Sequence, residues 1–183
     1  MSLMRTADAR RLAEECLSTS HPERWCHVQG VVARAVEVSQ AGADDDPVVS
    51  AAWLHDVGYA PVARDSGLHA LDGARYLAGL GADPVVVSLV AFHTGAEYEA
   101  ERGLSRELAA VPRPEQALLD TLILCDLTVS PTGEPVAVTA RLDEIVARYS
   151  AGDPRPSCGP EVPAVPRSLL RAGGEGAVSL GTG

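Results

Sequence analysis

Four prolines divide this chain into helices. A proline ring fixes φ near about −65° and removes the backbone N–H, so within a helix it belongs in the first turn. Pro22, Pro47, Pro84 and Pro114 each stand ahead of an apolar run with helical spacing. Two of them follow an aspartate, in Asp46-Pro47 and Asp83-Pro84. A carboxylate in that place accepts N–H groups that the first turn leaves unpaired. In chain order the predicted helices run from Thr6 (a candidate N-cap) to about Leu17, Pro22 to about Gln40, Pro47 to Val57, Leu68 to about Leu80, Pro84 to His93, Pro114 to Leu127 and Val136 to Tyr149. No run reads convincingly as a strand. The expectation is an all-α fold, a compact single-domain helical bundle of about seven helices over residues 1–150, with an irregular Pro/Gly-rich tail over residues 151–183.

The formal net charge is −10, and the chain has no Lys, so all 15 basic residues are Arg. A surface that acidic argues against broad contact with a nucleic-acid polymer or an anionic membrane, both of which need a basic face. No apolar run is long enough for a transmembrane helix. Cys16, Cys26, Cys125 and Cys158 form no CxxC pair and read as reduced thiols of a cytoplasmic protein. Cys26 and Cys125 each precede a motif residue and are expected to pack in the core.

The chemistry-bearing residues sit where helices end or turn inward. The apolar run Ala51-Ala52-Trp53-Leu54 closes on His55-Asp56, and Gly58 two residues later reads as the left-handed residue past a helix end. His27 borders the stripe of Trp25, Val28, Val32 and Ala35, with Gly30 expected to leave open space beside it. His69 falls in the first turn of its helix, where the positive helix end disfavours imidazolium and leaves the neutral form that binds metal. His93 shares a face with Val86, Leu89 and Val90, and Asp126 with Leu119, Leu122 and Ile123. A carboxylate on an apolar face is costly without a metal or a strong hydrogen-bond partner. Each residue alone is also compatible with a satisfied core position. Together, four imidazoles and two carboxylates from five helices make an N/O donor set suited to Mn, Fe, Mg or Co, one or two ions, with no thiolate required.

The order His27, His55-Asp56, Asp126 on helices resembles the HD superfamily of metal-dependent phosphohydrolases, over roughly residues 20–150. His69 in Leu68-His69-Ala70 and His93 in Ala91-Phe92-His93-Thr94-Gly95 extend the likeness to its six-ligand subset, which holds two metals. Within that subset the chain is similar to bacterial HD hydrolases that split dinucleoside polyphosphates such as diadenosine tetraphosphate. The resemblance implies a first ion on His27, His55, Asp56 and Asp126. It implies a second on His69 and His93, with Asp56 bridging and with His55, Asp56 and Asp126 at the catalytic centre.

The chain departs from other branches. Gly58-Tyr59 is followed by Ala60, not by the proline of the cyclic-di-GMP phosphodiesterases. Gly58-Tyr59-Ala60-Pro61 stands where alarmone hydrolases carry an acidic pair, and the Lys that many HD enzymes place after the doublet is missing. The implied function is cleavage of a phosphoester or phosphoanhydride of a small nucleotide-like substrate by metal-activated water. Arg24, Arg75, Arg102 and Arg106 are candidate phosphate contacts by proximity to motif residues, and Tyr59 and Tyr98 candidate base-stacking groups. Two alternatives stay open, a non-catalytic HD module binding metal or nucleotide, and an HD-type di-iron oxygenase. A homo-oligomer is compatible with the sequence, but nothing indicates one.

Overall fold

A computed structural model describes residues 6–39, 46–93 and 104–143. Within them the fold is helical: α1 (Thr6–Leu17), α2 (Pro22–Val38), α3 (Pro47–Leu54), a 3-10 turn (Val57–Tyr59), α4 (His69–Gly79), α5 (Pro84–Phe92), α6 (Ser105–Ala109) and α7 (Gln116–Leu127). An eighth helical stretch begins at 138 and is described as far as 143. Its expected continuation to Tyr149 lies outside the described residues, as do the 151–183 tail, Tyr98 and Arg102.

Three proline starts, at Pro22, Pro47 and Pro84, behave as the chemistry requires, whereas Pro114 lies two residues ahead of α7, outside the helix. The Asp46 carboxylate accepts from the N–H of Val48 at 2.7 Å and Val49 at 3.4 Å, and Asp83 accepts from Val85 at 2.7 Å. The short, apolar α3 is the hub, packing against α1, α2, α5 and α7. Val48, Val49, Ala51, Ala52 and Leu54 are buried on it. Its one buried hydroxyl, Ser50, lies 2.9 Å from that of Thr6, so α1 is tied to α3 by a satisfied polar pair. No helix among the described residues is long and apolar enough to cross a membrane.

Two glycines play parts other than those expected. Gly58 is not a left-handed residue; among the described glycines only Gly67, Gly81 and Gly133 have positive φ. α3 stops at His55 and passes through Asp56 into the 3-10 turn. Gly58 is required because this turn lies against the backbone of α4, where an added Cβ would fall 1.8 Å from the His69 carbonyl oxygen and 2.7 Å from the Gly73 nitrogen. Gly30 likewise leaves no open space. A Cβ there would meet the Gly133 carbonyl at 2.5 Å and Val129 Cγ1 at 2.7 Å. The turn after α7, closed by the bridge between Val129 and Pro135, is what fills it. Cys125 is buried as expected, but Cys26 is exposed, because its side of α2 faces away from the core.

Gly58→Ala should therefore cost about 3 kcal/mol, since the clash is with backbone that cannot rotate away. Gly79→Ala, with nothing within 4 Å of its Cβ, should stabilise by about 0.5 kcal/mol as an ordinary helical replacement. Urea denaturation of the two variants against the parent measures both. Equal effects would show that the turn can move off α4.

Candidate metal centre

The helix ends bring six side chains into two adjoining groups. Ligand atoms of His27, His55 and Asp126 lie within 4.8 Å of one another, and so do those of Asp56, His69 and His93. The imidazoles form a chain of edge contacts, with centroids 5.4 Å apart from His27 to His55, 5.2 Å from His55 to His93 and 5.1 Å from His93 to His69. Asp56 stands between the groups. Its Oδ2 is 3.6 Å from His55 Nε2 and its Oδ1 is 3.9 Å from His69 Nε2. All six are buried except His69, whose side chain is 14% exposed.

Three of the rings are aimed by the backbone. His55 Nδ1–H donates to the Ala52 carbonyl at 2.8 Å, and His93 Nδ1–H to Val90 at 2.6 Å. Each uses the carbonyl three residues back, in the last turn of its own helix, where carbonyls lack helical partners. His27 Nδ1–H donates to Ser130, at 2.9 Å, in the turn that docks beside Gly30. Every one of these bonds fixes the proton on Nδ1 and turns Nε2 into the cavity, the arrangement that metal-binding imidazoles use. His55 Nε2 is buried with no hydrogen-bond partner. A buried nitrogen lone pair without a donor is costly, and a Lewis acid satisfies it.

The charges fit the same use. Burial opposes ionisation of Asp56, but the charges of His55, Arg24, His69 and His27 outweigh it and hold the carboxyl well below its usual range. Burial likewise opposes ionisation of Asp126, and the His27 hydrogen bond with the charges of His55, His27 and His93 reverses it. Burial, followed by the charge of His93, pushes His69 down to about 3. Burial, followed by the charge of His55, pushes His93 down to about 4. Both are neutral at physiological pH. His27 is the exception. Burial lowers its pKa, but the 2.8 Å hydrogen bond to Asp126 Oδ1 and that carboxylate's charge raise it above the ordinary value. A metal there would take His27 as the neutral ring, because only that form is a ligand. Six N/O donors, two anionic and four neutral, fit a divalent ion. Cys125, beside Asp126, has its thiol pushed up to about 11, chiefly by burial, and stays protonated.

The other candidates separate. Arg24 Nη1 donates to Asp56 Oδ2 at 2.9 Å, with its side chain 34% exposed at the rim. A cavity of about 340 Å³ opens beside it, lined by His21, Pro22, Glu23 and Arg24. Tyr59 is not available for a base. The Arg24 guanidinium lies 3.4 Å over its ring, and the His69 ring stacks on it at 4.2 Å and 16°. Two groups that close cannot share one face, so both faces are covered. Arg75 is exposed and faces Asp65, at 3.9 Å, rather than any of the six. Arg106 is exposed on α6.

The sequence reading missed Asp72. Its carboxylate is buried and accepts from the N–H groups of Asp65, Ser66 and Gly67 at 3.0, 2.8 and 3.1 Å. This fixes the loop that delivers His69. The available signal was an acid in the first turn of α4.

A protein-family model described as HD domain matches residues 24–127, more than half of the chain. No curated protein and no solved structure matches it.

The low pKa values of His69 and His93 set a pH dependence for the chelator-treated protein. The unfolded chain takes up protons on both at pH near 6.5, the folded chain only near 3 and 4. Folding stability therefore falls as pH drops between about 6.5 and 4.5. The aspartates contribute stability above their unfolded value of 3.8, so it is lost only below this window. His27, with its raised pKa, contributes in the opposite sense, its stability being lost as pH rises through its folded value. Urea denaturation across the window should show the acid-side loss, and His69→Gln/His93→Gln should flatten it. An unchanged slope in the double variant would assign the loss to other groups.

Proposed function

The chain belongs to the HD domain family, and from that membership and the converging ligands we propose that it is a metal-dependent phosphohydrolase, cleaving a phosphoester or phosphoanhydride of a small nucleotide-like substrate. HD domains are in general metal-dependent hydrolases. The observation that carries the reading is the buried His55 Nε2, aimed between two ligand triads with no hydrogen-bond partner.

His27, His55 and Asp126 would hold one ion, and Asp56, His69 and His93 a second, with Asp56 facing both. A bound divalent metal supplies a Lewis acid that polarises a phosphoryl oxygen and acidifies water to make the nucleophile. The chain's own residues do the rest. Asp56 and Asp126 stay ionised throughout the working pH range, so their charge is there when the substrate arrives. The carbonyl bonds to His27, His55 and His93 hold three rings in place before binding, so no reorganisation is needed at the moment of reaction. Arg24 is the cation at the rim, next to both Asp56 and the 340 Å³ cavity, and is placed to meet the negative charge of the phosphoryl group. With no Lys anywhere in the chain, guanidinium is the only side-chain cation of permanent charge. The partner is a small phosphorylated molecule, and a cytoplasmic setting fits the unpaired Cys16, Cys26 and Cys125.

Release of nucleotide or of inorganic phosphate should be measured on a panel running from dinucleoside polyphosphates, which yield two nucleotides, to simple phosphate esters, which yield phosphate, with manganese or iron supplied. Turnover should disappear with chelator, and Asp56→Ala should match the chelated protein. Full activity in Asp56→Ala would overturn the site. Oxygen-dependent turnover of an organic substrate would overturn the reaction, and tight nucleotide binding without turnover would mark a binding module.

A further inference from the structure

Resting on the metal-dependent reading above, we propose that Tyr59 is the positioning residue for His69 and thereby sets the affinity of the Asp56, His69, His93 triad. Three of the four imidazoles are aimed through Nδ1–H by a carbonyl, from Ser130, Ala52 and Val90. His69 stands in a different local setting. It is the first residue of α4, where a helix presents N–H groups and no last-turn carbonyl lies behind the ring. It is also the most exposed of the four, with a side-chain exposure of 14% against 6% for His27 and 1% for His55. A ring so placed has solvent to turn into.

The face of Tyr59 closes that route. The two rings stack at 4.2 Å and 16° from parallel, which fixes the plane of His69. In that plane His69 Nε2 points to His93 Nε2 at 3.3 Å and Asp56 Oδ1 at 3.9 Å. Tyr59 is held in turn. Its N–H bonds the Asp56 carbonyl at 3.1 Å, and Arg24 covers its other face at 3.4 Å while donating to Asp56 Oδ2. Arg24, Tyr59 and His69 thus form three layers, anchored at one end to the carboxylate that the triad also uses. The stack does for His69 what a carbonyl does for the other rings, and it needs an aromatic face rather than the phenol oxygen.

Manganese titration of the chelator-treated full-length protein by calorimetry tests this, with His69→Ala identifying the equivalent that the triad binds. Tyr59→Phe should bind as the parent does. Tyr59→Leu and Tyr59→Gln, which lack the ring, should weaken the His69-dependent equivalent about 10- to 100-fold and leave any other unchanged, the usual effect of removing a ligand's orienting partner. Circular dichroism selects the ringless variant that is folded. Parent-like binding in that variant overturns the proposal. So does weakening of all equivalents alike, which would mark a general loss of structure, or weakening in Tyr59→Phe. Manganese uptake by the parent that ignores His69→Ala overturns it while leaving a metal-dependent reaction standing. No uptake by the parent removes the metal reading itself.

Discussion

The turn at Gly58 lies against the carbonyl of His69 so closely that no side chain fits between them. This backbone contact joins the 3-10 turn after α3 to the first turn of α4, and much of the candidate centre depends on it. It puts Asp56, on one side, within reach of His69, on the other. It also sets Tyr59 flat against the His69 ring. Side-chain contacts adjust by rotation, whereas two backbones in van der Waals contact do not. The separation of the two candidate ligand groups is therefore fixed by main chain, while the Asp72 carboxylate holds the loop on the approach to α4 through three N–H groups.

The second constraint is electrostatic. Two carboxylates are buried among four imidazoles and one guanidinium, and burial alone would force the acids to protonate. The surrounding positive groups reverse this for both. The imidazoles pay for the arrangement unevenly. His69 and His93 become neutral because each is buried beside another imidazole, and His27 is shifted the other way because it faces Asp126 directly. A cavity built this way is rich in carboxylate oxygens and imidazole lone pairs, the donor set that a divalent cation takes.

Much of this was legible in the sequence, and the reasons differ by residue. The helix starts at Pro47 and Pro84 were legible because their signals are local, a carboxylate cap and a ring that forbids helix on one side only. The six candidate ligands were legible because polar residues on apolar helical faces stand out against a 3.6-residue period. What each small residue is for was not legible. Gly58 and Gly30 read locally as a helix stop and an open space, and both are contacts with other elements, at the start of the next helix for Gly58 and far along the chain at Gly133 for Gly30. Nor was the role of Tyr59, since an aromatic near a charged cluster reads alike whether it awaits a base or is already covered on both faces. The carbonyl of Ser130, 103 residues from His27, carries no signal in its own side chain at all.

Helix length enters the chemistry through the carbonyls of Ala52 and Val90. Each falls in the last turn, where the helix itself has no further N–H to offer it, and so meets its imidazole without a competing backbone donor. Were α3 or α5 to continue for one more turn, backbone donors would compete for those carbonyls, and the hold on His55 and His93 would weaken with both residues still present. A candidate centre of this kind can therefore be loosened without losing a single candidate ligand, through a change that makes its helices longer and, judged as helices, better.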